Sequence, residues 1–248
     1  MLDSVFFDMG GTLEDVTFDT STEQRVTRVL MDMLREAGLK VDMTPDAFWN
    51  KIWPGVLRYK KYSQTNMVEL KPEIIWPEYY LADFDFDRAV IEKIAEKLAG
   101  AWEVNYYNRA LRPRVKEMLE ALKADGYRLG VISNNASLDS VFDVLEQYGI
   151  RDYFDEVIVS SCTGYRKPNP GIFHIAMRMA QSKPENCAYV GDTVSRDLIG
   201  AKWAGFGKCI LIKSFLTANS DRADNTQNAP EADHVITDIY DVATILKK

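Results

Sequence analysis

The stretch Ser4-Val5-Phe6-Phe7-Asp8-Met9-Gly10-Gly11-Thr12-Leu13 decides the fold of this 248-residue chain. A short and mostly apolar run ends at an aspartate, and a pair of glycines follows directly. This order is typical of a buried strand that runs into a sharp turn. No further glycine completes the spacing of a dinucleotide-binding fingerprint. The turn therefore predicts a site of another kind at the carboxyl end of a strand.

Five later apolar runs predict further strands that are covered on both faces. These runs are Arg128–Ser133, Glu156–Ser160, Cys187–Gly191, Lys208–Ile212 and His234–Thr237. Amphipathic helical patterns lie between them, such as the apolar stripe that starts at Val115 and ends before Gly126. Strand–helix alternation predicts an α/β fold with a doubly wound, parallel, Rossmann-like sheet. The polar segment 214–233 is predicted to be a surface loop.

The stretch between the first two predicted strands is far too long for one crossover. It is mainly helical in pattern, and we predict an inserted α-helical cap domain at residues 15–109. The core then consists of residues 1–14 and 110–248. Residues 48–107 hold 13 of the 28 aromatic residues of the chain. They are explained either as the core of a helical bundle or as an apolar wall that faces the active site.

Composition limits the kinds of partner that we expect. The chain has 30 basic and 37 acidic side chains, a formal net charge of −7. An acidic balance argues against nucleic acid as the main partner. The three cysteines form no CxxC pair, no apolar run approaches about 20 residues, and we expect no secretory leader. We therefore expect a cytoplasmic protein without a membrane segment, and the sequence does not define its oligomeric state.

Polar groups follow the predicted strands in order. The first strand leads to Asp8, the second ends at Ser133, and Lys167 lies in the loop after the third. The fourth leads to Asp192, with Asp197 five residues further on. Each residue alone is explained as a helix cap, a turn former or a solvated side chain. Together, at successive strand ends, they predict one site at the edge of the sheet.

In this order the motifs resemble those of the haloacid dehalogenase superfamily, in its members with a helical cap inserted after the first motif. The family's Asp-x-Asp-x-Thr corresponds to Asp8–Thr12 here. The second-motif serine or threonine corresponds to Ser133, and the third-motif lysine to Lys167 within Lys-Pro-x-Pro. The fourth motif corresponds to Gly-Asp-Thr-x-x-x-Asp, with Asp192 and Asp197. The resemblance covers the predicted core, whereas the insertion matches in position and helical character only.

The resemblance implies a hydrolase that uses Asp8 as a nucleophile toward a small phosphorylated substrate. It also implies Mg²⁺, because carboxylate and phosphate repel each other and a hard cation between them is needed. The implied metal set is Asp8, the backbone carbonyl of Gly10, Asp192 and Asp197. In this set Asp197 is expected to orient ligands or metal-bound water rather than to bind the ion directly.

The remaining implied roles concern the phosphate. Ser133 and neighbouring backbone N–H groups would bind phosphate oxygens, and Lys167 would neutralise charge beside the nucleophile. Ser133 and Lys167 are therefore counted with Asp8 as catalytic residues. The implied substrate-binding set is Gly11, Thr12, Ser133, Asn134 and Lys167.

Position ten departs from the family pattern. Phosphatases of the family carry a second aspartate there, which protonates the leaving group and then activates water. Gly10 can still offer a backbone carbonyl to a metal, but it has no acid. General acid–base catalysis contributes roughly 10²–10⁴-fold in rate. Glu14, Asp15 or a residue of the inserted domain is left as a possible substitute.

Three functions therefore remain open. The first, which we favour, is a phosphatase that is slow or restricted to leaving groups that need little protonation. The second is a hydrolase of C–P bonds, since such relatives have a small residue at this position and a Schiff-base lysine in the cap. The lysines available for that role are Lys51, Lys60, Lys61 and Lys71.

The third function is a non-catalytic ligand-binding protein. Retention of Asp8, Lys167 and Asp192 argues against it, because buried like charges are costly without a purpose. Relatives that dehalogenate have a bulky residue at position ten and need no metal. Retention of Asp192 and Asp197 argues against that branch.

Overall fold

The computed structural model of the protein describes residues 1–215 and 229–248. Most of the predicted surface loop, residues 216–228, lies outside the described residues. The strands, numbered along the chain, are β1 (Ser4–Phe7), β2 (Glu14–Thr17), β3 (Asn108–Leu111), β4 (Arg128–Ser133), β5 (Glu156–Val159), β6 (Cys187–Gly191), β7 (Lys208–Ile212) and β8 (His234–Ile236).

The α-helices are α1 (Thr20–Glu36), α2 (Pro45–Asn66), α3 (Pro72–Ile75), α4 (Arg88–Tyr106), α5 (Val115–Ala124), α6 (Ser140–Gln147), α7 (Ser160–Thr163), α8 (Pro170–Met179), α9 (Ile199–Trp203) and α10 (Asp241–Ile245). Two π-helical turns, Trp76–Tyr80 and Val194–Leu198, lead out of α3 and into α9. Among the described residues, no helix is both long enough and apolar enough to cross a membrane.

A parallel six-stranded sheet with the order β5-β4-β1-β6-β7-β8 forms the core and confirms the predicted fold class. Alternate residues of β1 enter different apolar clusters, because successive side chains of a strand point to opposite faces. Val5 and Phe7 pack with α5, α6 and α10, whereas Phe6 packs with α8 and α9. Helices thus cover both faces, which explains why the strands are apolar throughout.

β1 lies in the middle of the sheet, hydrogen-bonded in parallel to β4 on one side and β6 on the other. Gly130 of β4 pairs with Phe6, and a Cβ there would come within 2.6 Å of the Phe6 ring. The glycine thus lets the two strands keep their register beside a large side chain. The segments that follow β1, β4 and β6 consequently leave the sheet side by side.

The inserted segment is helical from α1 to α4 and packs around an apolar cluster of its own, which includes Leu30, Ile52, Trp76 and Trp102. The sequence analysis does not predict the antiparallel pair β2–β3, which joins the two ends of the insertion. Each strand has only four residues, and β2 alternates between buried and exposed positions just twice. So short a pattern is a weak signal of a strand. The predicted borders of the insertion, residues 15 and 109, fall inside this pair and stay a prediction.

Two buried or partly buried carboxylates tie the insertion to the edge of the sheet. Glu96 of α4 accepts hydrogen bonds from the Ser137 hydroxyl at 2.6 Å and from the Leu138 N–H at 3.0 Å. Glu69, after α2, accepts one from the Ser160 hydroxyl at 2.8 Å and forms an ion pair with Arg166. These contacts hold the inserted helices over the residues that follow β4 and β5.

Candidate active site

Three aspartates form a buried cluster where β1 and β6 end. Asp8 follows β1 directly, Asp192 follows β6 directly, and Asp197 lies in the π-helical turn that comes next. All three are at most 7% exposed. One carboxylate oxygen of each lies within 4.8 Å of an oxygen of the other two. The structure therefore brings together the three acids that the sequence analysis selected.

Lys167 sits inside this cluster with its ammonium group fully engaged. Its Nζ lies 2.7 Å from Oδ1 of Asp8 and 2.7 Å from Oδ1 of Asp197. It also donates to the Tyr189 hydroxyl at 2.9 Å. An ammonium group has three donors, and these three oxygens use all of them. Lys167 thus holds its charge directly beside Asp8, where the sequence analysis expected it.

Asp197 has little acceptor capacity left for an ion. Its Oδ1 accepts from Lys167 and, at 2.9 Å, from the Tyr189 hydroxyl. Its Oδ2 accepts from the Thr193 N–H at 3.0 Å and from the Thr193 hydroxyl at 2.6 Å. A carboxylate offers about four lone-pair sites. Four donors therefore favour the orienting role for Asp197 over direct metal binding.

The pKa values of the cluster show that its negative charge is not balanced. Burial, followed by the charge of Asp197, raises the pKa of Asp8 to about 6 against the opposing effect of Lys167. Burial and the charges of Asp197 and Asp8 raise the pKa of Asp192 to about 8. Burial also disfavours ionised Asp197, but Lys167 and Arg196 keep its pKa below the ordinary value. Further positive charge is needed before all three ionise.

The donor set fits a hard divalent cation. The cluster offers carboxylate oxygens only, and the Gly10 carbonyl belongs to the same turn. Mg²⁺ prefers such oxygen ligands and commonly uses one or two carboxylates. Asp8, Asp192 and the Gly10 carbonyl are the residues that would hold it.

Magnesium binding is expected to release close to one proton per ion at pH 7. A carboxyl with a pKa of about 8 is mostly protonated at that pH, and Asp192 must ionise to bind a cation. Affinity should consequently fall by about tenfold for each pH unit below that pKa. Titration calorimetry in two buffers of different ionisation enthalpy measures the protons released. An affinity that is constant between pH 6 and pH 8 would contradict the assignment of Asp192.

Gly11 allows the close approach of the turn to Asp192. Its φ is +85°, and a Cβ there would lie 2.2 Å from Oδ2 of Asp192. The Ser214 hydroxyl donates to the same oxygen at 2.5 Å. Gly11 and Thr12 do not belong to the wall of the cavity described below. Their predicted role in substrate binding stays a prediction.

Replacing Gly11 by alanine is expected to lower the free energy of unfolding by at least about 2 kcal/mol, since the new Cβ adds both backbone strain and a clash with Asp192. Gly38→Ala is the matched control, because Gly38 has a φ of +87° and nothing within 4 Å of its Cβ position. Urea unfolding measures the loss of stability in each variant. Gly38→Ala reports backbone strain alone, so the further loss in Gly11→Ala reports the clash. Equal losses would show that the contact with Asp192 carries no cost.

A cavity of about 260 Å³ opens above Asp8 between the core and the insertion. The core side of its wall includes Asp8, Gly10, Ser133, Asn134 and Lys167. The inserted side is largely aromatic and includes Trp53, Tyr59, Tyr80, Trp102 and Tyr106. Several of these rings also pack in the apolar cluster of the insertion. Both explanations of the aromatic residues therefore apply, since the same rings form a core and line the cavity.

Asn134 lines the cavity, but its amide is engaged by the backbone of Lys167. Its Oδ1 accepts from the Lys167 N–H at 2.8 Å, and its Nδ2 donates to the Lys167 carbonyl at 3.1 Å. The side chain therefore fixes the loop that carries the lysine. Its predicted contact with substrate stays a prediction beside this observed role.

The two acids nearest to Gly10 in sequence have other partners. Glu14 is fully buried, pairs with Arg109 and accepts a hydrogen bond from the Tyr148 hydroxyl at 2.8 Å. Asp15 is largely exposed and pairs with Arg112 at 3.2 Å. Neither belongs to the cavity wall. The structure thus offers no support for Glu14 or Asp15 as a substitute acid.

The inserted helix α4 contributes an acid that sequence reasoning did not single out. Glu103 lines the cavity, and its Oε2 lies 3.0 Å from Nη2 of Arg109. Burial raises its pKa despite this ion pair. Of the four lysines of the insertion considered above, only Lys60 belongs to the wall. Only packing against the sheet reveals which charged residues of the insertion face inward.

The family model described as haloacid dehalogenase-like hydrolase matches residues 2–205. The chain is 31% identical to the glyceraldehyde 3-phosphate phosphatase of Methanothermobacter thermautotrophicus, with 99% of this chain and 96% of that protein covered. The match to the family model includes all four motifs that carry the resemblance.

Two solved structures share the fold at full length. A haloacid dehalogenase-type (HAD) phosphatase from Thermococcus onnurineus has a TM-score of 0.66 at 24% identity, with 99% of this chain and 98% of that chain covered. A 2-haloacid dehalogenase from Pseudomonas syringae pv. Tomato has a TM-score of 0.67 at 22% identity, with the same shares covered. Proteins named for different reactions share this fold, so residues at the site must distinguish the chemistry.

Proposed function

The chain belongs to the haloacid dehalogenase-like hydrolases, and we propose that it is a Mg²⁺-dependent phosphatase of a small phosphorylated metabolite, with Asp8 as the nucleophile. The observation that carries the proposal is the buried cluster in which oxygens of Asp8 and Asp192 lie within 4.8 Å of each other and Lys167 lies 2.7 Å from Asp8. In this proposal residues 15–109 act as a cap over the core, 1–14 and 110–248. The phosphatase name of the full-length archaeal relative supports it.

The proposed reaction proceeds in two displacements at phosphorus. A carboxylate oxygen of Asp8 forms a bond to phosphorus while the bond from phosphorus to the ester oxygen breaks, which yields an aspartyl-phosphate. Water then attacks the same phosphorus, the Asp8–phosphorus bond breaks, and inorganic phosphate leaves. When bound, Mg²⁺ supplies positive charge between carboxylates and phosphate. Lys167 adds fixed positive charge beside Asp8, and Ser133, in the wall of the same cavity, would bind a phosphate oxygen.

The leaving group sets the limits of this activity. Gly10 brings no proton donor to the ester oxygen, so a good leaving group departs more easily than an alkoxide. We propose that acyl and aryl phosphates react faster than alkyl phosphates. The aromatic wall of the cavity supports this preference, because it offers apolar surface to a flat leaving group.

Hydrolysis of a C–P bond is the second candidate function. One observation favours it: Lys60 of the inserted domain belongs to the wall of the same cavity as Gly10. A Schiff base between this lysine and an aldehyde would make the carbon a leaving group. Lys51, Lys61 and Lys71 lie outside the wall, which leaves Lys60 as the lysine to test.

A panel of alkyl phosphates, aryl phosphates and phosphonoacetaldehyde, with and without Mg²⁺, separates the two functions. The phosphatase proposal predicts metal-dependent phosphate release from the esters, and aryl esters should react fastest. Release from the phosphonate alone, with borohydride trapping of its carbonyl on Lys60, would establish the second function. If no compound of the panel released phosphate in the presence of Mg²⁺, both functions would be contradicted.

A further inference from the structure

A second cavity adjoins the one above Asp8. It has a volume of about 430 Å³, and its wall includes Met67, Pro168, Ile199 and Trp203. The two cavities share three wall residues, Gln64, Lys167 and Arg196. Lys167 is already bound within the aspartate cluster. Arg196 is therefore the cation of the shared wall that is not bound within the aspartate cluster.

The guanidinium group of Arg196 has no ionic or hydrogen-bonding partner among residues 1–215 and 229–248. It lies half-buried in the π-helical turn Val194–Leu198. The other arginines of the cavity wall are paired: Arg109 with Glu14 and Glu103, and Arg166 with Glu69. A half-buried guanidinium that faces two cavities and lacks a carboxylate partner is suited to bind an anionic ligand.

The charge of Arg196 acts on the aspartate cluster from a distance. It opposes the rise in the pKa values of Asp8 and Asp192 and helps to lower that of Asp197, although it forms an ion pair with none of them. The transferring phosphate already has Lys167 on the core side of the cavity. Arg196 lies instead where the first cavity passes into the second. A substrate with phosphate at Asp8 would thus reach Arg196 with another part of its structure.

We propose that Arg196 binds a second anionic group of the substrate, either a carboxylate or a second phosphate. The organic part of the substrate then extends into the second cavity. The planar guanidinium can donate two parallel hydrogen bonds to either group. This inference rests on the proposed phosphatase function and narrows its substrate class. The substrate is then a phosphomonoester that carries a further negative charge.

Two aryl esters of matched size test the inference, 3-carboxyphenyl phosphate and 3-carbamoylphenyl phosphate, which differ by one negative charge. The wild-type protein should prefer the carboxylate in kcat/KM by about tenfold or more. Arg196→Gln should lower kcat/KM for the carboxylate ester about 10- to 100-fold more than for the carbamoyl ester, because the effect of its charge on the aspartate cluster is common to both esters. Arg178→Gln, at an exposed position of α8, is the matched control and should change neither.

A pair of phosphates distinguishes the two kinds of second anion. Resorcinol bisphosphate and resorcinol monophosphate are compared in the same assay. If the preference for the bisphosphate over the monophosphate exceeds the preference for the carboxylate over the carbamoyl ester, the anion at Arg196 is a phosphate. If it is the smaller of the two, the anion is a carboxylate. An equal loss on all four esters in Arg196→Gln would overturn the inference, as would the absence of any preference in the wild-type protein.

Binding separates this inference from the proposed function. Calorimetry with the Asp8→Asn protein measures the affinity for both carboxylate and carbamoyl esters without turnover. A preference that Arg196→Gln removes supports the second-anion position even if the wild-type protein hydrolyses neither ester. In that case only the phosphatase proposal fails. Equal affinities for both esters would contradict the role of Arg196 whatever the activity.

Discussion

Replacing Asp8 by asparagine is expected to abolish phosphate release from every ester, by roughly 10⁴-fold or more in kcat. Asparagine keeps the size of the side chain but loses the nucleophilic carboxylate. No other acid of the aspartate cluster can take its place. Asp197 is fully engaged by four donors, and Asp192 does not belong to the wall of the cavity above Asp8. The change in rate is measured on an aryl phosphate at saturating Mg²⁺.

The fold is expected to survive this substitution. An amide Oδ1 at position 8 can still accept from the Met9 N–H and from Lys167, which keeps Asp197 as its counter-charge. Burial and Asp197 disfavour ionised Asp8 without metal, so the variant should melt at or above the wild-type temperature. Asp143→Asn, on the exposed face of α6, is the control for charge loss. Retained turnover in a folded Asp8→Asn protein would show that Asp8 is not the nucleophile.

Replacing Gly10 by aspartate is expected to raise kcat on alkyl phosphates by about 10²-fold, because it restores a proton donor for the poor leaving group. The site has room for a Cβ at Gly10, which would lie 3.6 Å from Val16 and 3.8 Å from Glu14. Both are ordinary van der Waals distances. Aryl phosphates should gain less than about threefold, since their leaving groups need little protonation. The measurement is kcat for ethyl and 4-nitrophenyl phosphate.

Gly10→Ala is the matched control, because it adds the Cβ without the acid. It should leave both rates near those of the wild-type protein. Glu103→Gln adds a second comparison, since Glu103 is the carboxylate of the insertion that lines the cavity. If Glu103 already protonates the leaving group, Glu103→Gln will lower the alkyl rate, and Gly10→Asp will gain little while Glu103 is present. An equal gain on both ester classes in Gly10→Asp would show that the missing acid does not limit the reaction.

The sheet could be predicted from the sequence because its signal is local. Each strand is a continuous apolar run, and both faces are covered, so burial is visible in the order of residues alone. β1 shows this most directly, with Phe6 packed against one helical layer and Phe7 against the other. The aspartates that follow β1 and β6 could be grouped for the same reason. Neighbouring parallel strands end at the same edge, which brings Asp8 and Asp192 together.

Contacts between distant residues could not be predicted in this way. Glu14 and Arg109 are 95 positions apart, and their ion pair follows from the β2–β3 pairing that no local pattern indicates. Ser214 reaches Asp192 only because β7 lies beside β6. Arg196 is a further case, since the absence of a partner among the described residues becomes visible only when the surrounding side chains are placed.

Chemical trapping of residue 8 tests the central claim most directly. The protein is mixed with an aryl phosphate and Mg²⁺, quenched in acid within one turnover and treated with hydroxylamine, which converts an aspartyl-phosphate to a hydroxamate. Mass spectrometry of the peptide that contains Asp8 then locates the product. We predict a hydroxamate at Asp8 in the wild-type protein and none in Asp8→Asn. Turnover of the ester with no label at residue 8, or with the label on another carboxylate, would contradict the account.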